Sequence, residues 1–147
     1  MSIFDKLQKY IGSSVGSKRF MSVDVADINA AEAEFGFKLP SSLKRFYQSV
    51  GYGWFGVEDR SDIRNLFVHP LDMVDLYNGT SEFSPPEEFL PGDVPFFDCG
   101  SFRFLVFRPS SSNSEFVYRH IGESEPIAND IEDFVEKLLL NPHFYEE

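Results

Sequence analysis

The chain has 147 residues, 42% of them hydrophobic and 16% aromatic, with 24 Asp+Glu against 13 Lys+Arg and a formal net charge of −11. A chain of this length buries about 68–70% of its unfolded surface in a single core, so it needs no staple, and its single cysteine, Cys99, has no intramolecular disulfide partner. An acidic pI of about 4.6 opposes nucleic-acid binding, which needs clustered Lys and Arg, and the wealth of aromatic side chains excludes a disordered acidic tail.

Ser2 can cap a short first helix over residues 2–12, with Ile3, Leu7, Tyr10 and Ile11 at helical spacing and Gly12 at its end. Residues 12–17 then read as a flexible connection. Asp27 can cap a second helix that carries Ile28, Ala31 and Phe35 on one face and stops at Gly36. A third follows Pro40, with Leu43, Phe46, Tyr47 and Val50 in one stripe and Gly51 beyond it, so residues 27–51 predict a helical hairpin.

Gly51-Tyr52-Gly53-Trp54-Phe55-Gly56 reads as a glycine-punctuated turn, which either seats Trp54 on the core or offers it as a binding lip. Leu66–Val68 is a short strand, and Pro70 opens a brief helix through Tyr77 that ends near Gly79. Residues 80–93, with Pro85, Pro86, Pro91 and Gly92, read as a long surface loop, a lid or a contact loop. Val94–Phe97 and Phe102–Phe107 are strands; the second is apolar on both faces and should be central. Residues 115–120 return as its antiparallel partner, making 102–120 a β-hairpin. Asn129, with Glu132 three residues on, should cap a final helix with Ile131, Phe134, Val135, Leu138 and Leu139 in its stripe, ended by Asn141-Pro142. Helices first, strands in the middle and a helix last give an α+β domain spanning 1–147.

Charge is unevenly spread. Residues 58–98 hold ten acids against two bases and residues 121–147 eight against one, while the rest of the chain is mildly positive. Such runs are ordinarily solvated faces; brought to one side of a fold they would steer a cationic partner.

The residues offer little chemistry. His69, His120 and His143 form no ligand pair with one another or with Cys99, so no metal or other cofactor is expected. Cys99 and His120 could be drawn as a thiolate and its base, but a buried thiol and a strand-end imidazole is the simpler reading. Adjacent carboxylates such as Glu58-Asp59 and Glu87-Glu88 do not by themselves supply facing geometry for acid–base catalysis. A pocket under the 80–93 loop would need converging polar groups to act as an enzyme or small-molecule site. Asn78-Gly79-Thr80 fits the glycosylation pattern, but the start of the chain lacks the basic and apolar regions of a signal peptide, and a cytoplasmic, non-enzymatic protein with no membrane span is expected.

The order Ile28, Glu32, Phe35-Gly36, Leu39-Pro40, Phe46-Tyr47 and Gly51-Tyr52-Gly53, followed by Pro70-Leu71, Val94-Pro95-Phe96-Phe97-Asp98 and Ile131-Glu132-Asp133-Phe134, resembles the signature of the SUKH superfamily. The resemblance runs over about residues 22–140, with the first helix as an extension, and departs from the pattern at Asp98-Cys99-Gly100-Ser101. It implies an antiparallel-dominated sheet with helices packed against it, held by Glu32, Gly36, Leu39, Pro40, Phe46, Gly51 and Gly53 as structural motif residues. It also implies either an immunity protein that neutralises a toxin, often a nuclease, or, as in fungal relatives, a regulatory module of cell-wall control. An acidic domain suits a basic toxin partner, bound as a monomer or weak homo-oligomer. The expected contact residues are Glu58, Asp59, Asp62, Glu87 and Glu88, with Trp54 as an anchor if it is exposed.

Overall fold

The computed structural model describes residues 2–13, 16–85, 89–119 and 124–146. Six strands form one antiparallel sheet in chain order: β1 (Lys18–Met21), β2 (Tyr52–Phe55), β3 (Leu66–Phe67), β4 (Val94–Gly100), β5 (Arg103–Phe107) and β6 (Tyr118–Arg119). Helices α1 (Val25–Phe35) and α2 (Ser41–Ser49) are inserted between β1 and β2, α3 (Pro70–Asn78) between β3 and β4, and α4 (Ile131–Leu140) follows the sheet. The α+β expectation holds.

Register explains the two faces. Phe20, Gly53, Phe67, Phe97 and Leu105 lie in one row across the sheet. Their neighbours one position away, Arg19, Trp54, Leu66, Asp98 and Phe104, make the row on the opposite face. The first face meets α2 and α4. Phe67 packs its ring 4.2 Å from Phe46 of α2, 4.9 Å from Phe97 and 5.9 Å from Phe134 of α4. The N-terminal segment, a 3-10 helix over Ile3–Tyr10 rather than an α-helix, adds Phe4 against Phe46 at 5.3 Å, so it belongs to the core and is more than an appendage.

Helix α3 packs on β4 across the opposite face, and α1 packs on α3, with Phe35 set edge-on to Tyr77 at 5.7 Å. The predicted helical hairpin is therefore corrected: α1 pairs with α3, while α2 pairs with α4 and the 3-10 helix. Helix starts also move. Asp24 rather than Asp27 precedes α1, and Asp130 rather than Asn129 caps α4, accepting the Asp133 N–H at 2.8 Å. The glycine-punctuated segment holds strand β2 (Tyr52–Phe55) rather than a turn. Its glycines serve the close approach of β1: a Cβ on Gly51 would sit 1.9 Å from the Met21 carbonyl oxygen and one on Gly53 2.1 Å from that of Arg19.

The motif residues act locally. Glu32, buried in α1, accepts the Leu39 N–H at 2.8 Å and the Lys44 ammonium at 3.2 Å, which ties the Leu39-Pro40 elbow to α1. Gly36 ends α1 in the left-handed conformation, as expected.

The start of α2 is capped from a distance. Glu115 accepts the N–H groups of Ser41 and Ser42 at 2.7 and 3.0 Å and the Ser41 hydroxyl at 3.0 Å. Burial alone would raise this carboxyl; the donors from Ser42 and Ser41 outweigh it and hold its pKa below the ordinary glutamate range. A depressed folded pKa gives stability that is fully present above the unfolded pKa and lost as pH falls through the folded one. Urea titrations of the wild type and Glu115→Gln should differ above about pH 5 and converge in acid as the pH falls from the ordinary glutamate pKa of about 4.3 through the lower folded value; a pH-independent difference would remove the charge from the cap.

Candidate functional site

Helix α3 is short and the chain leaves it at Gly79, which sits in the left-handed conformation. Its face of the sheet is thus covered over β4 and open over β2 and β3. The uncovered part is a groove of about 280 Å³. Tyr52 and Trp54 of β2 and Leu66 of β3 form its floor, Leu76 and Asp72 of α3 one wall, and Glu82 and Phe83 of the following loop the lip.

Cations and aromatics alternate through this region. The Arg19 guanidinium lies 5.6 Å from the Trp54 ring, and that of Arg64 lies 4.7 Å from the Phe83 ring. Arg64 Nε is 3.2 Å from Asp98 Oδ2, and the Gly100 N–H donates to Asp98 Oδ1 at 2.8 Å. Burial raises the Asp98 carboxyl above the ordinary range, against the lowering effects of Gly100 and Arg64. His69 has a structural role at the groove's end. Its Nδ1 accepts the Leu71 N–H at 3.1 Å as the cap of α3, its Nε2 is 3.4 Å from Asp27 Oδ2, and its ring stands edge-on to Tyr52 at 4.8 Å.

The expected contact residues separate here. Trp54 lines the groove half-buried, available on one side. Glu58 and Asp59 are exposed in the turn after β2, and Glu58 accepts the Ser17 N–H at 3.2 Å. Asp62 is a bound acid. Arg60 grips it with two hydrogen bonds of 2.9 and 2.8 Å, and these bonds hold its pKa at about 2. Glu87, Glu88 and His120 lie outside the described residues. The carboxylates that accompany Trp54 are instead Asp72, Glu82 and Asp98, which come from a helix, a loop and a strand. The sequence held no signal for Asp98, which lies just past the expected strand Val94–Phe97; the register of β4 places it opposite Leu66.

Cys99 is buried and its thiol is pushed well up by that burial, which keeps it protonated and unreactive at neutral pH. A second groove of about 550 Å³ lies against the 80–93 loop, but its described lining, including Leu76, Tyr77, Ser84 and Phe89, brings no carboxylate, imidazole or thiol together. Among the described residues no group of three or more His, Cys, Asp or Glu could hold a metal ion, and no helix is long and apolar enough to cross a membrane. The first groove brings together aromatic walls and two carboxylates, Asp72 and Glu82, while the third, Asp98, is buried and already paired with Arg64 of the same lining.

The sequence profile of the SMI1 / KNR4 family (SUKH-1) matches residues 22–137. The chain is 25% identical over 130 residues, covering 86% of both proteins, to the immunity protein YxxD of Bacillus subtilis (strain 168). No solved structure matches it.

Proposed function

The chain belongs to the SMI1/KNR4 family (SUKH-1), and on that premise we propose that it is a non-enzymatic immunity protein that binds and neutralises a basic toxin domain, a nuclease above all. The observation that carries this reading is the open groove in which Trp54 and Phe83 meet Asp72 and Glu82, on a chain of net charge −11. A nuclease must present cations to the phosphate backbone. An acidic partner is drawn to that surface at a high rate and can cover it. Similarity to a protein named for immunity supports the same reading. The inhibitor works in the cytoplasm, where a toxin aimed at nucleic acid would act.

The test begins with the gene's neighbours. An adjacent reading frame for a large secreted protein with a compact basic C-terminal domain supplies the ligand, and calorimetry with that domain, inactivated at its catalytic residue, measures binding. The expected result is a 1:1 complex that weakens as salt rises, with Trp54→Ala costing about 10-fold or more in affinity and Asp72→Lys/Glu82→Lys flattening the salt dependence. Absence of binding by the wild-type chain overturns the reading in favour of a regulatory module with an endogenous partner.

A further inference from the structure

The β4–β5 hairpin closes through two residues, Ser101 and Phe102, between the paired Gly100 and Arg103. Both have left-handed backbone, with φ of 55° and 60°. That is the type I′ geometry, for which Asn-Gly is the unstrained sequence; a serine followed by a phenylalanine is strained there. No aromatic contact with a described residue accounts for the choice of phenylalanine, which is 52% exposed. Strain of this kind, held in place by rigid surroundings, is a mark of functional positions.

The surroundings are rigid and acidic. Gly100 packs so closely on the preceding turn that a Cβ there would lie 2.3 Å from the Asp62 carbonyl oxygen, and the Arg64 N–H donates to the Cys99 carbonyl at 3.0 Å. Arg60, Asp62, Arg103 and Glu146 tie the hairpin base and that turn together through ion pairs of 2.8 to 3.4 Å. Because those charges are matched, the acids of the turn left without an ion pair to a described residue are Glu58 and Asp59, both exposed. Asp98, four residues before Phe102 on the same hairpin, lines the Trp54 groove, so the groove, the acidic turn and the hairpin tip share one end of the sheet.

We propose that Phe102 is an aromatic anchor that inserts into an apolar pocket of the basic toxin domain, while Glu58 and Asp59 meet cationic residues on the rim of that pocket. This assignment rests on the immunity reading. An aromatic side chain fixed on a strand hairpin gives up little conformational freedom on binding, and the acids of the turn packed on the hairpin base match the partner's charge. It explains why the turn keeps a costly residue where a cheap one would close the hairpin better.

The decisive variant replaces Ser101-Phe102 with Asn-Gly. As a type I′ turn without strain it should raise the thermal midpoint by about 3 °C, while affinity for the inactivated toxin domain falls by about 30-fold or more. Phe102→Asn, which tolerates the left-handed backbone, should show the same loss of affinity with a native fold. Equal affinity of either folded variant and the wild type overturns the anchor and leaves the immunity reading standing. Failure of the wild-type chain to bind the domain overturns both.

Discussion

Gly53→Ala is expected to destabilise the protein by about 3–4 kcal/mol, lowering its thermal midpoint by roughly 10 °C. Two causes combine. Gly53 has a φ of +145°, a conformation that suits glycine and strains any L side chain. Its added methyl would also meet backbone, 2.1 Å from the Arg19 carbonyl oxygen and 2.8 Å from the Phe20 Cα, where no side chain can swing away. Strand β1 lies at the sheet edge, so it can yield only by moving outward. That movement withdraws Phe20, fully buried and 6.1 Å from both Phe46 and Phe67. Gly36→Ala separates the two causes: Gly36 has φ of +79° with nothing within 4 Å of the added methyl, so it should cost only about 1 kcal/mol. Hydrogen exchange should localise the Gly53 effect as lost amide protection at Lys18–Met21. Similar costs for the two glycines would mean that β1 accommodates the methyl and that the close approach is not limiting.

The same glycines show where reading the sequence stops. Periodicity placed α2, α3 and α4 because their apolar stripes face a core that exists whatever its details, and it placed β5 as central because both of its faces are apolar. Glycine density, in contrast, is a local sign of a turn, while the need for Gly51 and Gly53 comes from β1, about 30 residues earlier in the chain. Strand β1 itself is four residues with one buried side chain, Phe20, too little pattern to stand out. The pairing of α1 with α3 is equally non-local, as is the capping of α2 by Glu115. At the groove, Trp54 was legible as a rare aromatic among glycines. Its acidic companions were not, because Asp72, Glu82 and Asp98 are joined only by strand register and by the turn of the chain after α3. Asp62 shows the reverse. Its acidity was legible, but Arg60, two residues away, cancels it.

Asn65 is expected to be the most sensitive polar residue of the core, with Asn65→Ala costing about 3–5 kcal/mol. It is fully buried with a φ of +46°, a left-handed position that asparagine tolerates and alanine does not. Its side-chain N–H donates to the Pro142 carbonyl at 2.7 Å, and its side-chain oxygen accepts the Tyr145 hydroxyl. Alanine would therefore add backbone strain and orphan groups from two different turns. The Arg119 Nε–H also donates to the Tyr145 carbonyl, at 2.7 Å, so the C-terminal turn is held from both sides. Asn65→Gly should recover only the backbone part, about 1 kcal/mol. In a double-mutant cycle, Asn65→Ala with Tyr145→Phe should cost less than the sum of the single changes by about 1 kcal/mol or more, because both remove the same hydrogen bond. Strict additivity would show that the two side chains act independently. The clamp reaches further, since Glu146 of the same C-terminal turn holds Arg60 and Arg103. Loosening it should free the Glu58–Asp62 turn, read in hydrogen exchange as lost amide protection there at temperatures where the core remains folded.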